Sequence, residues 1–192
     1  MRDRSPNRSN NSLLTTGMLT RSIVLIGLTG SGKTTVGKRL SKHLNCAFVD
    51  SDEVVSGSTG LSVREIFEQQ GESAFRDHEI QAMEVIFADS TPRVIAAAAG
   101  VVLAEKNRQL IRNSISFVVW LDAEPSNLLK RVSGGGHRPL LDDDALASLT
   151  AMNATRRDLY AKLADVHVDT NRRTVNGVVK SVLKLVAAQG NL

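Results

Sequence analysis

The sequence has little cysteine, little proline and no long apolar run. Its 192 residues include one cysteine, Cys46, and four prolines. A single cysteine excludes an internal disulfide, which favours a reducing cytoplasm as the location. No stretch approaches the about 20 apolar residues that a membrane-spanning helix needs. We therefore expect a soluble cytoplasmic protein with no membrane partner.

A large excess of one charge is also missing from most of the chain. Residues 1–21 contain four arginines and one aspartate, so the other 20 basic and 19 acidic residues leave a net charge of only +1. Nucleic-acid binding needs a broad basic face. We therefore expect no nucleic-acid partner for the folded part of the protein.

Residues 1–20 differ in composition from the rest. They are rich in Ser, Asn, Thr and Arg and poor in large apolar side chains, which is typical of a disordered tail. No apolar segment follows the arginines, so a secretory signal is not expected, while an organellar transit peptide is the alternative. The folded domain is predicted to span residues 21–190.

Short apolar runs alternate with segments of helical periodicity along that domain. This alternation predicts an α/β fold with a five-stranded, mostly parallel sheet between two helical layers. Trp120 is predicted to be a core residue or a pocket wall. The predicted strands are 22–26, 47–49, 94–97, 116–121 and 166–168, and the predicted helices are 33–44, 60–88 with a break at Gly71, 103–113, 145–163 and 175–188.

The stretch GLTGSGKTT at residues 27–35 matches the phosphate-binding pattern G-x-x-x-x-G-K-[ST] and lies between a predicted strand and a predicted helix. Backbone N–H groups in such a loop surround phosphate oxygens, and the helix N-terminus adds positive charge. Lys33 is expected to reach the terminal phosphates as a catalytic residue, and Thr34 to help hold Mg²⁺. The predicted ATP-binding residues in this loop are Gly27, Thr29, Gly30, Ser31, Gly32, Lys33, Thr34 and Thr35.

The loop alone leaves the reaction open. The guanine-reading pattern Asn-Lys-x-Asp of GTPases is absent from the sequence. The chain is also small for a motor or transporter ATPase. A small kinase fits better, because its acceptor site needs only a short helical insertion.

Two carboxylates, Asp50 and Asp52, follow the second predicted strand. In an open α/β sheet the carboxyl ends of the strands line the ligand crevice. One carboxylate can serve Mg²⁺, and the other can face a substrate hydroxyl as a base or hydrogen-bond acceptor. The alternative is that Asp52 simply caps the next helix.

Further motifs follow in a fixed order, and together with the first two they resemble the shikimate kinase family over nearly all of residues 22–188. They are VREIFEQQGESAFRDHE at 63–79, RVSGGGHRPLL at 131–141, ATRRDLY at 154–160 and VDT at 168–170. The resemblance implies a P-loop kinase fold, a helical acceptor-binding insertion at about 51–88 and a lid at about 133–146. It also implies ATP and Mg²⁺ as cofactors and shikimate as the acceptor.

The resemblance assigns roles to individual acceptor-site residues. Asp50 belongs to the Mg²⁺ side, and Asp52 contacts the acceptor hydroxyls as a catalytic residue. Arg76 and Arg156 hold the shikimate carboxylate, which suits the forked guanidinium group. Glu79 orients Arg76.

Three further positions follow from the same resemblance. Arg138 lies in the lid, beside three glycines that allow hinge motion, and approaches the transferring phosphate as a catalytic and ATP-binding residue. Arg131 packs near the adenine. Gly100 matches a glycine that contacts the substrate after the third strand.

The sequence departs from the family at Ala98-Ala99-Gly100, where family members have three glycines. A left-handed backbone at either alanine would cost about 1 kcal/mol. Either this loop bends differently, or the acceptor differs. The alternatives are a kinase for another hydroxy acid such as gluconate, or a nucleotide-binding regulatory protein without activity. The leading interpretation is a monomeric shikimate kinase that acts on the 3-hydroxyl in aromatic amino-acid biosynthesis.

Overall fold

Five parallel strands form the central sheet. The structure, a computed structural model, describes residues 19–132 and 144–190. The strand order is β2-β3-β1-β4-β5, with every pair parallel. The predicted α/β fold is therefore confirmed. The strands are β1 Ser22–Ile26, β2 Ala47–Asp50, β3 Arg93–Ala96, β4 Ser116–Asp122 and β5 Val166–Asp169.

Helices connect the strands. The described residues contain α1 Lys33–Leu44, α2 Ser51–Thr59, α3 Val63–Ala88, α4 Glu105–Asn113, α5 Pro125–Val132, α6 Ala145–Leu163 and α7 Val175–Ala188. Three of them, α1, α6 and α7, have the bounds predicted from periodicity. The sequence interpretation missed α2 as a separate helix and missed α5 altogether. Both have fewer than ten residues, too few for a clear helical repeat.

Gly71 interrupts α3, as predicted. Its backbone angles, φ 80° and ψ 175°, are not helical, so α3 consists of two helical stretches. The α2 and α3 segment has a small core of its own, made of Val55, Ile66, Phe75 and Ala82. This insertion stands beside the sheet and forms one side of the site described below.

The sheet is buried on both faces. Successive residues of β1 alternate between two cores: Ile23 and Leu25 pack with α1 and α7, whereas Val24 and Ile26 face the other layer. Trp120 is 6% exposed and lies in the second core, as predicted. Leu19, which the sequence interpretation placed in the tail, is buried in the first core.

Within the described ranges, no helix combines the length and apolar character needed to cross a membrane.

Candidate active site

The phosphate-binding loop connects β1 to α1. A Cβ atom at Gly27 would overlap the carbonyl oxygen of Leu121, so this position needs glycine. Gly32, with φ 99°, is the N-cap of α1 and provides no side-chain cap. The first N–H groups of α1 are therefore available to a ligand at the end of the helix that carries partial positive charge.

Polar groups of the loop are directed inward. Lys33 Nζ donates to the carbonyl oxygens of Gly27 at 2.8 Å and Leu28 at 3.0 Å. Ser31 is 2% exposed, and its Oγ atom has no hydrogen-bond partner among the described residues. Leaving a buried hydroxyl without a partner costs about 1–3 kcal/mol. A phosphate oxygen would supply the missing partner, so the loop fits a polyphosphate.

Asp50 links the loop to the next helix. Thr34 Oγ1 donates to Asp50 Oδ2 at 2.7 Å, and the backbone N–H of Asp52 donates to Asp50 Oδ1 at 3.1 Å. Asp50, and not Asp52, is therefore the cap of α2. The alternative interpretation of Asp52 as that cap is wrong. A hydroxyl and a carboxylate side by side are hard oxygen ligands of the type that Mg²⁺ prefers.

A cavity of about 350 Å³ lies over this loop. Residues 29–36, Asp50, Asp52, Arg131 and Thr170 are among its lining. Arg131 Nη2 donates to the Thr170 carbonyl oxygen at 2.6 Å, and Nη1 donates to Thr170 Oγ1 at 3.1 Å. Arg131 is thus fixed at the cavity wall, and its place near the adenine stays a prediction from the resemblance. We refer to this cavity as the donor cavity.

A second cavity of about 600 Å³ lies beside it, between the α2–α3 insertion and α6. Arg76, Glu79, Gly100 and Arg156 line it, together with the aromatic rings of Phe67 and Phe75. Thr29, Asp52, Ala98 and Ala99 line both cavities. Asp52 therefore lies where the two cavities meet. We refer to the second one as the acceptor cavity.

Arg76 and Glu79 form a buried ion pair in the acceptor cavity. Arg76 Nη1 lies 2.5 Å from Glu79 Oε2, and Arg76 Nη2 lies 2.7 Å from Glu72 Oε1. Burial alone would lower the pKa of Arg76, but Glu79 and Glu72 outweigh it and the pKa is raised. Burial raises the pKa of Glu79 above its ordinary value, against the opposing effect of Arg76. The two carboxylates hold the Arg76 guanidinium in one orientation.

Two buried polar atoms of this cavity have no hydrogen-bond partner within the described part of the chain: Glu79 Oε1 and Arg156 Nε. Arg156 is 7% exposed, and its Nη1 donates to the Ala99 carbonyl oxygen at 3.3 Å. A buried cation with an unused donor is stabilised by an anionic ligand. The cavity therefore suits a small carboxylate.

The loop after β3 does not contain the strain expected from its alanines. Among described non-glycine residues, only Asn45 and Arg172 have positive φ. Ala98 and Ala99 therefore adopt ordinary backbone angles, and the expected cost does not arise. Gly100 also lacks a left-handed φ, but a Cβ atom there would overlap Arg76 Nη1. A larger residue at position 100 would therefore have to move the Arg76 guanidinium, which packs directly against this backbone.

Two residues that the sequence interpretation did not assign to the site hold this loop. The Ala98 N–H donates to Ser51 Oγ at 2.8 Å, and Tyr160 Oη donates to the Ala99 carbonyl oxygen at 2.6 Å. Burial raises the pKa of Tyr160, which keeps its hydroxyl protonated. The spacing of Arg156 and Tyr160 places both on one helical face, a signal available from the sequence.

Arg138 lies outside the described residues, together with most of the predicted lid. Its predicted role as the lid arginine therefore remains a prediction from the resemblance. The other predicted site residues lie along the two cavities or in the loop that joins β1 to α1.

The phosphate-binding loop lies at the carboxyl edge of a parallel sheet and opens into an acceptor cavity lined by arginines. This arrangement defines a small-molecule phosphotransferase of the P-loop class. The family model for shikimate kinase matches residues 29–187. A shikimate kinase of Symbiobacterium thermophilum is 41% identical over 172 residues, which cover 88% of this chain and 98% of that protein. A shikimate kinase of Francisella tularensis subsp. holarctica is 38% identical, covering 85% of this chain and 93% of that protein.

Solved structures give the same result. The shikimate kinase of Acinetobacter baumannii, solved in complex with shikimate, superposes with a TM-score of 0.84 at 29% identity, covering 88% of this chain and 94% of that one. The chain belongs to the shikimate kinase family. Members of this family are ATP-dependent kinases that phosphorylate an alcohol group.

Proposed function

We propose that this protein transfers the γ-phosphoryl group of ATP to the 3-hydroxyl of shikimate, in the pathway to the aromatic amino acids. The observation that carries the proposal is the meeting of the two cavities at Asp52. One cavity fits a polyphosphate, the other fits a carboxylate, and a hydroxyl of the acceptor can lie between them.

The donor cavity has the groups needed to position ATP. Lys33 and the N-terminus of α1 balance the charge of the β- and γ-phosphates, and Ser31 Oγ supplies a further hydrogen bond. Thr34 and Asp50 are the residues that would hold Mg²⁺. When bound, Mg²⁺ neutralises charge on the β- and γ-phosphate oxygens.

The acceptor cavity orients the other substrate. Arg76, fixed by Glu79, and Arg156 bind the carboxylate of shikimate from two helices. Binding at that end directs the ring hydroxyls toward Asp52. Asp52 then holds the attacking hydroxyl and accepts its proton as the phosphoryl group transfers.

Lys33 contributes again during transfer. Phosphoryl transfer has a loose transition state in which charge spreads over the equatorial oxygens. A fixed ammonium beside them stabilises that charge without needing to reorganise. By resemblance, Arg138 adds a second positive charge from the lid.

Two further proposals concern the protein as a whole. We propose that it acts as a cytoplasmic monomer without a nucleic-acid partner. The near-neutral charge of residues 22–192 supports the absence of a nucleic-acid partner. The large exposed apolar side chains among the described residues are only Val85 in α3, Leu103 and Ile115 on either side of α4, and Leu146 in α6, and so small a number supports a monomer.

The proposal is tested by ADP release with ATP and Mg²⁺ in the presence of shikimate, quinate, gluconate or nucleoside monophosphates. We expect strong stimulation by shikimate alone and none in a Lys33→Met variant, which controls for contaminating kinases. Stimulation by another acid instead of shikimate would identify that acid as the acceptor and would contradict the proposal. ATP binding without stimulation by any acceptor would favour a regulatory protein.

The carboxylate clamp is tested separately. Arg76→Ala is expected to weaken shikimate binding at least tenfold, since a charged hydrogen bond is worth about 1.5–3 kcal/mol. ADP affinity should stay within twofold. Calorimetric titration of both ligands measures this, with Arg112→Ala, an exposed arginine of α4, as the control. Equal losses for both ligands would contradict the assignment.

A further inference from the structure

We propose that Asp122 couples the nucleotide end of the donor cavity to the acceptor cavity. The backbone of Asp122 holds Thr170, and the carboxylate of Asp122 holds α6. The inference rests on the proposed function, because it requires that nucleotide and shikimate bind in these two cavities. Asp122 is the last residue of β4 and lines neither cavity. It is a positioning residue and does not touch substrate.

The carboxylate of Asp122 is the centre of a polar cluster. Arg157 approaches it with both ends of its guanidinium group, Nη1 at 3.2 Å from Oδ1 and Nη2 at 3.0 Å from Oδ2. His167 Nε2 lies 3.0 Å from Oδ2. The carboxylate side chain is only 13% exposed. A two-pronged contact between arginine and a largely buried carboxylate fixes orientation better than a single exposed pair.

Arg157 is the neighbour of Arg156 on α6, and its contacts join that helix to β4. The Arg157 guanidinium lies 4.9 Å from the centre of the Trp120 ring, and Trp120 stacks against Tyr160 with ring centres 5.9 Å apart. Tyr160 Oη and Arg156 Nη1 both donate to the Ala99 carbonyl oxygen. When Arg157 is held on β4, Arg156 is held facing the acceptor cavity.

The backbone of Asp122 makes the second connection. Its carbonyl oxygen accepts from the N–H of Thr170 at 2.8 Å and from Thr170 Oγ1 at 2.9 Å. Thr170 in turn holds Arg131 at the wall of the donor cavity. Any movement of Arg131 and Thr170 on nucleotide binding would therefore act on the residue that contacts α6.

Coupling between two sites is a free energy, and it acts equally in both directions. If Asp122 carries it, shikimate should raise ADP affinity, and ADP should raise shikimate affinity by the same factor. Breaking the contact between Asp122 and Arg157 should reduce that factor. Each ligand should still bind alone, because the groups that touch it remain.

The experiment uses the full chain and calorimetric titration of ADP with Mg²⁺, without and with saturating shikimate. The ratio of the two dissociation constants is the coupling factor. We expect about fivefold or more in the wild type, the usual lower range of such effects. Arg157→Gln and Asp122→Asn should each reduce it to less than half, and the double variant should lose no more than either one. Lys106→Ala, which breaks an exposed ion pair with Glu84, is the matched control and should keep the wild-type factor.

The outcomes separate the two proposals. A wild type that binds ADP but not shikimate would overturn the proposed function and this inference with it. A wild type that binds both ligands with coupling, while Arg157→Gln and Asp122→Asn retain the full factor, would overturn this inference alone. If the variants lost affinity for both ligands but kept the wild-type coupling factor, the contact between Asp122 and Arg157 would have only a structural role. That result would also overturn this inference. Thermal melting of each variant confirms that it is folded.

Discussion

Gly100 and Arg76 occupy one small volume in the wall of the acceptor cavity. A Cβ atom at position 100 would overlap Arg76 Nη1, so Gly100→Ala must displace the guanidinium that we assign to the carboxylate of shikimate. We expect at least a tenfold rise in the dissociation constant of shikimate. ADP affinity should stay within twofold, as measured by titration of each ligand.

Gly57→Ala is the matched control for this substitution. Gly57 lies within α2, has no left-handed φ, and, apart from its chain neighbours and the backbone of its own helix, no described atom lies within 4 Å of the position that a Cβ would take. Alanine there should leave both affinities unchanged. Unchanged shikimate affinity in Gly100→Ala would show that Arg76 does not need its present position.

Glu79 predicts a dependence of stability on pH. Its pKa in the folded protein is raised above the ordinary value of 4.5, chiefly by burial. Between these two pKa values the folded state binds more protons than the unfolded state, so the free energy of unfolding falls as pH rises through that window. The slope from this one group is at most about 1.4 kcal/mol per pH unit.

Denaturant unfolding of the wild type and of Glu79→Gln, repeated from pH 4.5 upward, isolates this contribution. Glutamine keeps the shape of the side chain and does not titrate. We expect the stability of the wild type relative to the variant to decline as pH rises. A relative stability that rises with pH would mean that the Arg76 charge outweighs burial and lowers the Glu79 pKa.

Single residues also show where sequence reasoning succeeds and where it stops. The pattern at residues 27–35 fixes backbone geometry locally, so the loop could be predicted from it. Asp50 and Asp52 could be placed near the site from the sequence. Which of the two contacts Thr34 and which faces the acceptor cavity could not be predicted from it without the family resemblance. Which carboxylate caps α2 and which one meets Thr34 depends on where β2 ends relative to the phosphate-binding loop, and that is set by the pairing of β2 with β3 and of β3 with β1.

At the scale of elements, the segment Ala98–Gly100 is held between α2 and α6. Tyr160→Phe removes the hydrogen bond to the Ala99 carbonyl oxygen, whose remaining donor in the described part of the chain is Arg156. We expect a loss of stability of about 1–2 kcal/mol, the usual result for a buried hydrogen bond. The Michaelis constant for shikimate should rise several-fold, with that for ATP unchanged.

Urea unfolding and steady-state kinetics measure both parts of this prediction. Thr155→Ala on the same helix removes an exposed hydroxyl that bonds to the Ala151 carbonyl oxygen, and should alter neither. If Tyr160→Phe lost stability without a change in the Michaelis constant for shikimate, the loop would not contribute to acceptor binding.

Two of the helices that were predicted with the correct bounds have clear N-terminal signals. Helix α7 begins after a Thr174 cap and α6 after an Asp144 cap, and each has enough turns for its pattern to be visible. The acceptor cavity could not be derived from such signals. Arg76 and Arg156 lie on helices distant in sequence, and without the family resemblance each would be interpreted as a surface charge.

At the scale of the whole molecule, strand order creates the site. Because β3 lies between β2 and β1, the segment after β3 is placed between the phosphate-binding loop and Asp52. The carboxyl ends of these three strands therefore bring the donor cavity, the acceptor cavity and the Asp52 carboxylate to one edge of the sheet. The insertion of α2 and α3 then closes the acceptor side.

The most direct test of this account is the identity of the product. The protein is incubated with ATP, Mg²⁺ and shikimate, and phosphorus and proton NMR locate the new phosphate on the ring. The account predicts one monophosphate, on the 3-hydroxyl, formed in step with ADP. Phosphate on another hydroxyl, or release of inorganic phosphate alone, would contradict it.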